Sequence, residues 1–268
     1  SSGLLGKILI KKVNFKFIKF KYDITNKKKV YNWIKRNNFD FIIHLAAIVP
    51  TKKVENNFYY SKKVNYGGTK NLVDAIIKYK KKPKLFFFAS TSHVYKPKSK
   101  YIKILEKEKT KPFSKYGKTK LLAEKYLKLK LSKKKINYCI GRIFSFTDKN
   151  QDHSFIVPSL FNKIKKSKSS KIYLKNLNHY RDFVSTIDIC KAIEILCKKK
   201  KTGIYNIGNG NKISLIQIAK YFSKKYKKKI IVKNNTKRNS FLIASNRKIL
   251  KTGWLPTTSF SRELKKFS

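Results

Sequence analysis

Short continuous apolar runs alternate along this chain with stretches whose apolar residues recur at helical spacing. Phe39 to Leu45 (FDFIIHL), Lys84 to Ser90 and Ile136 to Ile143 predict buried strands. Between them, Val64 to Lys80 carries Leu72, Val73, Ile76, Ile77 and Tyr79 on a helical repeat, and Ser114 to Leu131 carries Leu121, Leu122, Tyr126 and Leu129. Strands without polar alternation are covered on both faces, so this order predicts an α/β fold: a doubly wound parallel sheet between helices. After about residue 145 the elements shorten. Helices are predicted near 155–166, 187–199 and 214–226, and strands near 171–174, 203–207 and 229–233. The pattern divides into a sheet domain over 1–145 and a small mixed α/β lobe over 146–268, interleaved with the last sheet elements.

Composition narrows the class. With 268 residues, 41% of them hydrophobic, the chain can bury a core, which excludes a disordered polycation. Apolar runs such as Leu85 to Ala89 stop far short of the ~20 residues of a spanning helix. No basic-then-apolar leader opens the sequence. The three cysteines, Cys139, Cys190 and Cys197, sit in apolar runs without metal-ligand spacing. Neither a metal site nor a disulfide framework is expected, and a reducing cytoplasm is the expected compartment, with no membrane partner.

The formal charge of +54 points at first to polyanions. Only six of the 67 basic residues are arginine, however, and Ile, Asn, Phe and Tyr are abundant beside the lysines. These residues share A/T-rich codons, so the lysine load reads as compositional drift spread over solvated faces. It still attracts phosphorylated ligands in a salt-sensitive way. No nucleic-acid motif accompanies it, and no specific nucleic-acid partner is expected. The sequence also lacks methionine entirely, even at position 1, which suggests that an upstream segment is missing.

Three places carry candidate chemistry. The opening SSGLLG places Gly3 and Gly6 three apart at the start of an apolar helix. That arrangement lets a backbone approach a pyrophosphate and a helix pack closely on a sheet. Asp23 follows the basic, strand-like stretch 13–21 and on its own reads as a helix N-cap. That stretch offers Lys16, Lys19 and Lys21 rather than an acidic residue, which tilts a dinucleotide preference towards NADP over NAD. Tyr116 and Lys120 stand four apart on one helix face. A free tyrosine has a pKa of ~10 and shuttles protons poorly; a nearby ammonium would lower it. Twenty-five residues upstream of Tyr116, a strand ends at Thr91, followed by Ser92 and His93. There a hydroxyl could orient a reacting oxygen, or cap a turn.

With these motifs in order, the chain resembles an extended short-chain dehydrogenase/reductase of the nucleotide-sugar epimerase/dehydratase family. The resemblance spans essentially its whole length. It runs through SSGLLG, YDIT, FDFIIHLAA, VNYGGTKNLVDA, FFFASTSHVY, PFSKYGKTKLLAEKY, GRIFSF, YRDFVSTIDICKAI, GIYNIGNG and GWLPTTSF. It implies a Rossmann-type sheet whose first strand is missing here, over 1–145, and a substrate lobe over 146–268. Gly3 and Gly6 would line the pyrophosphate turn, and Asp23 with Ile24 the adenine pocket. Leu45, Ala46 and Ala47 would run beneath the cofactor, and Asn65 would sit in the helix beside the active site. Thr91, Tyr116 and Lys120 match the family's catalytic hydroxyl, tyrosine and lysine, with Lys120 also holding the nicotinamide ribose. Arg181 matches the arginine that grips the substrate's diphosphate, and a homodimer through the helix of residues 114–131 is implied.

Departures limit the assignment. Ser145 stands where the family usually has a substrate-contacting asparagine. Thr91 is followed by Ser92-His93 rather than the Asp-Glu pair of the 4,6-dehydratases, so water elimination is not expected. Epimerisation and reduction of a keto sugar both stay open, and His93 is either an acid/base group or part of the pocket rim. Two other classes stand beside the enzyme reading: a cofactor-binding module without turnover, and a charge-driven polyanion binder.

Overall fold

The protein was analysed as a computed structural model that describes residues 3–49, 51–235 and 238–267. The first half runs α1 (Leu4–Lys12), α2 (Lys27–Arg36), β1 (Phe41–His44), α3 (Thr51–Asn56) and α4 (Phe58–Lys62). A π-helical turn (Lys63–Gly67) leads into α5 (Gly68–Lys78). Then follow β2 (Leu85–Thr91), a 3-10 turn (Ser92–Val94), α6 (Lys115–Lys133), β3 (Tyr138–Ile143) and β4 (Ser145–Thr147). The second half continues with α7 (Ile156–Lys166), β5 (Lys171–Lys175), β6 (His179–Arg181), β7 (Phe183–Ser185), α8 (Thr186–Lys198) and β8 (Gly203–Ile207). It closes with β9 (Ile213–Ser214), α9 (Leu215–Lys225), β10 (Lys229–Lys233), β11 (Ser240–Leu242), α10 (Arg247–Leu250) and α11 (Phe260–Lys265).

The central sheet has the order β1-β2-β3-β8, and every pairing is parallel. Strand β2 is buried along its whole length and sends alternate side chains to opposite faces. Phe86 and Phe88 join Val30, Ile34, Val73, Ile76 and Leu127 under α2, α5 and α6. Leu85 and Phe87 join Leu9, Ile189, Ile193 and Leu196 under α1 and α8. The two faces thus bury separate cores, as the run of apolar residues predicts. Among the described residues no helix is long and apolar enough to cross a membrane.

The later elements form a lobe with its own core, built on Leu160, Ile164, Ile172, Leu174, Ile218 and Phe222. Its strands pair as β5 with β10, as β6 with β11 and β9, and as β4 with β7. The lobe is tied to the sheet by β8, which comes from the second half of the chain and pairs with β3. The cysteines Cys139, Cys190 and Cys197 are free and buried in the sheet core.

Two expectations fail locally. The stretch 13–21 is not a strand. Its aromatic residues pack: Phe15 lies 5.5 Å from the Phe41 ring and Phe20 lies 5.3 Å from Trp33. Its backbone, however, joins no ladder, because a cleft of about 1320 Å³ separates it from β1. Among the described residues β1 pairs only with β2, so its other edge faces this cleft. The helix expected from residue 64 begins as the π turn and becomes regular only at Gly68.

Two adjacent glycines at that junction differ sharply. A Cβ on Gly68 would stand 2.6 Å from Ile24 Cγ2, whereas one on Gly67 would meet nothing within 4 Å. Both have φ near −61°. Gly68→Ala should therefore cost about 1–3 kcal/mol through overpacking. Gly67→Ala should be neutral or stabilise by up to about 1 kcal/mol through the unfolded chain. Urea unfolding of the two variants checks the contrast.

Candidate active site

The site is assembled at the carboxyl ends of β2 and β3, where open parallel sheets place their ligands. Thr91 ends β2 and pairs in register with Ile143 of β3. Its side-chain oxygen accepts the His93 backbone N–H at 3.2 Å, which closes the 3-10 turn. The capping reading of this hydroxyl is therefore fulfilled, and the same hydroxyl lies within hydrogen-bonding range of Tyr116. Ser92, the first residue of the turn, is buried.

Helix α6 brings Tyr116 and Lys120 to the same place. Ser114 caps it by accepting the Gly117 N–H at 3.1 Å. Close approach is built into this turn: a Cβ on Gly117 would lie 2.2 Å from the His93 carbonyl oxygen. Only glycine lets α6 pack this tightly on the turn that follows Thr91.

Burial pushes the Tyr116 phenol up to about 12, while the Thr91 hydroxyl, within hydrogen-bonding range, pulls the other way. Burial pulls the Lys120 amine down to about 7, against the opposing pull of Glu124. The Lys120 ammonium sits 4.0 Å over the Phe88 ring. This departs from the expectation that Lys120 lowers the tyrosine. Tyr116 shifts upward because burial outweighs every other influence, and at neutral pH it is a proton donor.

His93 packs 4.8 Å from the Phe113 ring and 5.6 Å from that of Tyr116, and its Nδ1 lies 3.2 Å from Ser114 Oγ. Burial, reinforced by the charge of Arg181, holds it down at about 4, so it is neutral at pH 7. Arg181 donates through Nη1 to the carbonyls of Tyr180 (2.8 Å) and Ser240 (3.0 Å). Ser145 pairs with Phe183, two residues beyond Arg181. The structure therefore brings Thr91, His93, Tyr116, Lys120, Ser145 and Arg181 to one region.

The residues expected on the dinucleotide side are less evenly gathered. Gly6, Ile24, Leu45 and Ala46 line the cleft beside β1, together with Lys16, Lys19 and Lys21. Gly3 precedes α1, with open space around its Cα. Ala47 follows in the loop after β1. Asp23 is exposed and accepts the Thr25 N–H at 2.8 Å in an Asx turn; the N-cap of α2 is Asn26, not Asp23. Asn65 is buried in the π turn. Its side chain accepts from Ile48 N at 2.7 Å and donates to Ile48 O and to Thr119 Oγ1, each at 3.0 Å. Thr119 in turn donates to the Tyr116 carbonyl, so Asn65 ties the loop after β1 to the tyrosine helix. Among the described residues no group of three or more His, Cys, Asp or Glu could hold a metal.

Sequence reasoning missed a buried network beneath these residues. Arg142 of β3 donates to Glu124 of α6 through Nε at 3.1 Å and Nη2 at 2.7 Å. Ser90 also bonds to that carboxylate, and the Arg142 Nη1 reaches Tyr95 Oη at 2.8 Å. One signal was available. Glu124 is the sole acidic residue in the α6 sequence and stands four beyond Lys120, on its face.

A parallel sheet wound on both faces, with a tyrosine and a lysine at i, i+4 beside a strand-end hydroxyl, defines an extended short-chain dehydrogenase/reductase architecture. The family described as GDP-mannose 4,6 dehydratase matches residues 7–266, and the chain belongs to it, among the nucleotide-sugar epimerases and dehydratases. It is 29% identical over 203 residues to an ADP-L-glycero-D-manno-heptose-6-epimerase from Brachyspira hyodysenteriae, covering 73% of this chain and 62% of that protein. It is 30% identical over 227 residues to a GDP-6-deoxy-D-talose 4-dehydrogenase from Aggregatibacter actinomycetemcomitans, covering 81% of this chain and 75% of that one. The chain spans only 50–62% of the length of three of its curated relatives. Among solved structures, RMD from Pseudomonas aeruginosa complexed with NADPH superposes with a TM-score of 0.89 at 18% identity, covering 99% of this chain and 94% of that one.

Two buried histidines give the site a pH signature. His44 is held down at about 3 by burial and by the charge of Lys120, and His93 at about 4. Both are lowered from 6.5, so below that pH the unfolded chain binds protons that the fold refuses. Their contribution is complete above pH ~6.5 and is lost as pH falls towards 4. Urea midpoints measured from pH 7 to 4 should decline less steeply in His93→Gln than in the parent.

Proposed function

We propose that this chain is the core of an NAD(P)-dependent enzyme that epimerises or reduces a nucleotide-activated sugar. The observation that carries the reading is the convergence of Thr91, Tyr116 and Lys120 at the carboxyl ends of β2 and β3, with Arg181 facing the same region. Thr91 orients the reacting sugar oxygen. Tyr116, protonated at neutral pH, gives a proton to that oxygen in reduction and takes it back in oxidation. Lys120 supplies the cation that makes the second direction accessible, and it holds the ribose of the dinucleotide. The guanidinium of Arg181 grips the diphosphate. When bound, the nicotinamide supplies or accepts the hydride.

The residues present suit such a cofactor. The cleft beside β1 combines apolar walls with Lys16, Lys19 and Lys21, and these cations favour the extra phosphate of NADP over NAD. A related structure holds NADPH, and others hold NAD. UDP-glucose occupies a neighbour of this fold, in keeping with a nucleotide-sugar substrate. Leu122 and Leu129, exposed on α6, form the face through which two copies would pair. The competing reading, a cofactor-binding module without turnover, is favoured by Ser145 in the substrate region.

Tyr116→Phe should lower kcat at least about 100-fold while leaving dinucleotide affinity within a few-fold of the parent. The experiment pairs calorimetric titration with NADPH and NADH, in moderate and high salt, with turnover on a panel of nucleotide sugars. Net consumption of NADPH marks a reductase; turnover without net consumption marks an epimerase. Unchanged turnover in Tyr116→Phe would overturn the reading.

A further inference from the structure

We propose that Glu124 is a positioning residue for Tyr116 and Lys120: its carboxylate locks α6 onto the ends of β2 and β3 and holds a negative charge one helical turn beyond the Lys120 amine. This rests on reading Tyr116 and Lys120 as the proton-handling pair. Three elements meet at the carboxylate. It belongs to α6, takes the Arg142 fork from β3 at 3.1 and 2.7 Å, and bonds to Ser90 of β2. Ser90 immediately precedes Thr91, and Arg142 immediately precedes Ile143, the register partner of Thr91. One carboxylate therefore fixes the helix that carries Tyr116 and Lys120 relative to the strand end that carries Thr91.

The charge has a direct addressee. Lys120 is 1% exposed, with the Phe88 ring of β2 4.0 Å from its ammonium. His44, on β1, also lies within its field and is neutral at pH 7. Tyr116, on its own helix, is protonated. Among the described residues Glu124 is the anion that acts on it, and its influence runs against burial. Arg142 is itself held charged: burial works against its cation, but Glu124 and Tyr95 more than offset that and raise it above the usual arginine range. The Arg142 guanidinium thus stays charged, with its fork on the Glu124 carboxylate at 3.1 and 2.7 Å.

The test reads Lys120 directly. Competitive acetylation with acetic anhydride across pH, followed by peptide mass spectrometry, gives the titration midpoint of individual lysines on the intact chain without any turnover. The parent should titrate at Lys120 near 7. Glu124→Gln should move that midpoint down by about one unit or more, and Glu124→Asp, which keeps the charge, should restore most of it. If Glu124→Gln fails to fold, the double variant Glu124→Gln with Arg142→Met does not strand the guanidinium without its carboxylate and should show the same downward shift at Lys120. A Lys120 midpoint unchanged in these variants, with only the thermal midpoint lowered, would overturn the proposal and leave a purely structural ion pair. Failure of the intact protein to turn over any nucleotide sugar would instead sink the enzymatic reading and leave the measured Glu124–Lys120 coupling standing.

Discussion

A carboxylate and a guanidinium, each 4% exposed, face one another near the carboxyl ends of β2 and β3. Removing two such charges from water costs several kcal/mol per ion, and only good geometry with further hydrogen bonds recovers it. Glu124 and Arg142 meet those terms. The fork is bidentate, and Ser90 and Tyr95 take up remaining capacity. Tyr95 passes the chain of bonds to Asn206 of β8 at 2.8 Å, so α6, β2, β3 and β8 are all joined through one polar core. In an otherwise apolar sheet this network has few alternative pairings. It selects one register for the helix that bears Tyr116 and Lys120.

The second half of the chain is organised by another buried anion. Asp182, fully buried, accepts the backbone N–H groups of Asn209, Gly210 and Ala244. Burial nevertheless pushes it up to about 6 against those bonds. It follows Arg181 directly, so the residue that aims the arginine is anchored to two loops at once. A third, Asp188, caps α8 with Ser185 and gathers the N–H groups of Thr257 and Thr258. Three of only 13 acidic residues thus serve as internal clamps, while the lysines stay mostly at the surface.

The sheet was legible because its strands are short, mainly apolar blocks, and the main helices because their apolar stripes keep a 3.6-residue repeat. The i, i+4 spacing of Tyr116 and Lys120 puts them on one face of α6, and the apolar run before Thr91 puts it at a strand end, as the structure has them; their roles came from the resemblance and not from spacing. The rest depended on tertiary pairing. The stretch 13–21 has a strand's composition but finds no neighbour. The short strands β6, β7, β9 and β11 have two or three residues each, too few for periodicity to register. Arg142 looked like one basic residue among 67, and only the fold reveals that it is buried opposite Glu124.

The side of β1 that pairs with no strand among the described residues also bears on how copies of this chain treat one another. A strand with free N–H and C=O groups along one edge is a template for any other extended backbone, and proteins commonly guard such edges with lysine. Here the guard is the net charge itself. Mutual repulsion among copies carrying +54 keeps their edges apart at low ionic strength, and added salt thins that repulsion to a Debye length of about 3 Å at 1 M. The lysine excess that contributes little to the fold then acts as its colloidal stabiliser, and the dispersity of this protein becomes a function of ionic strength.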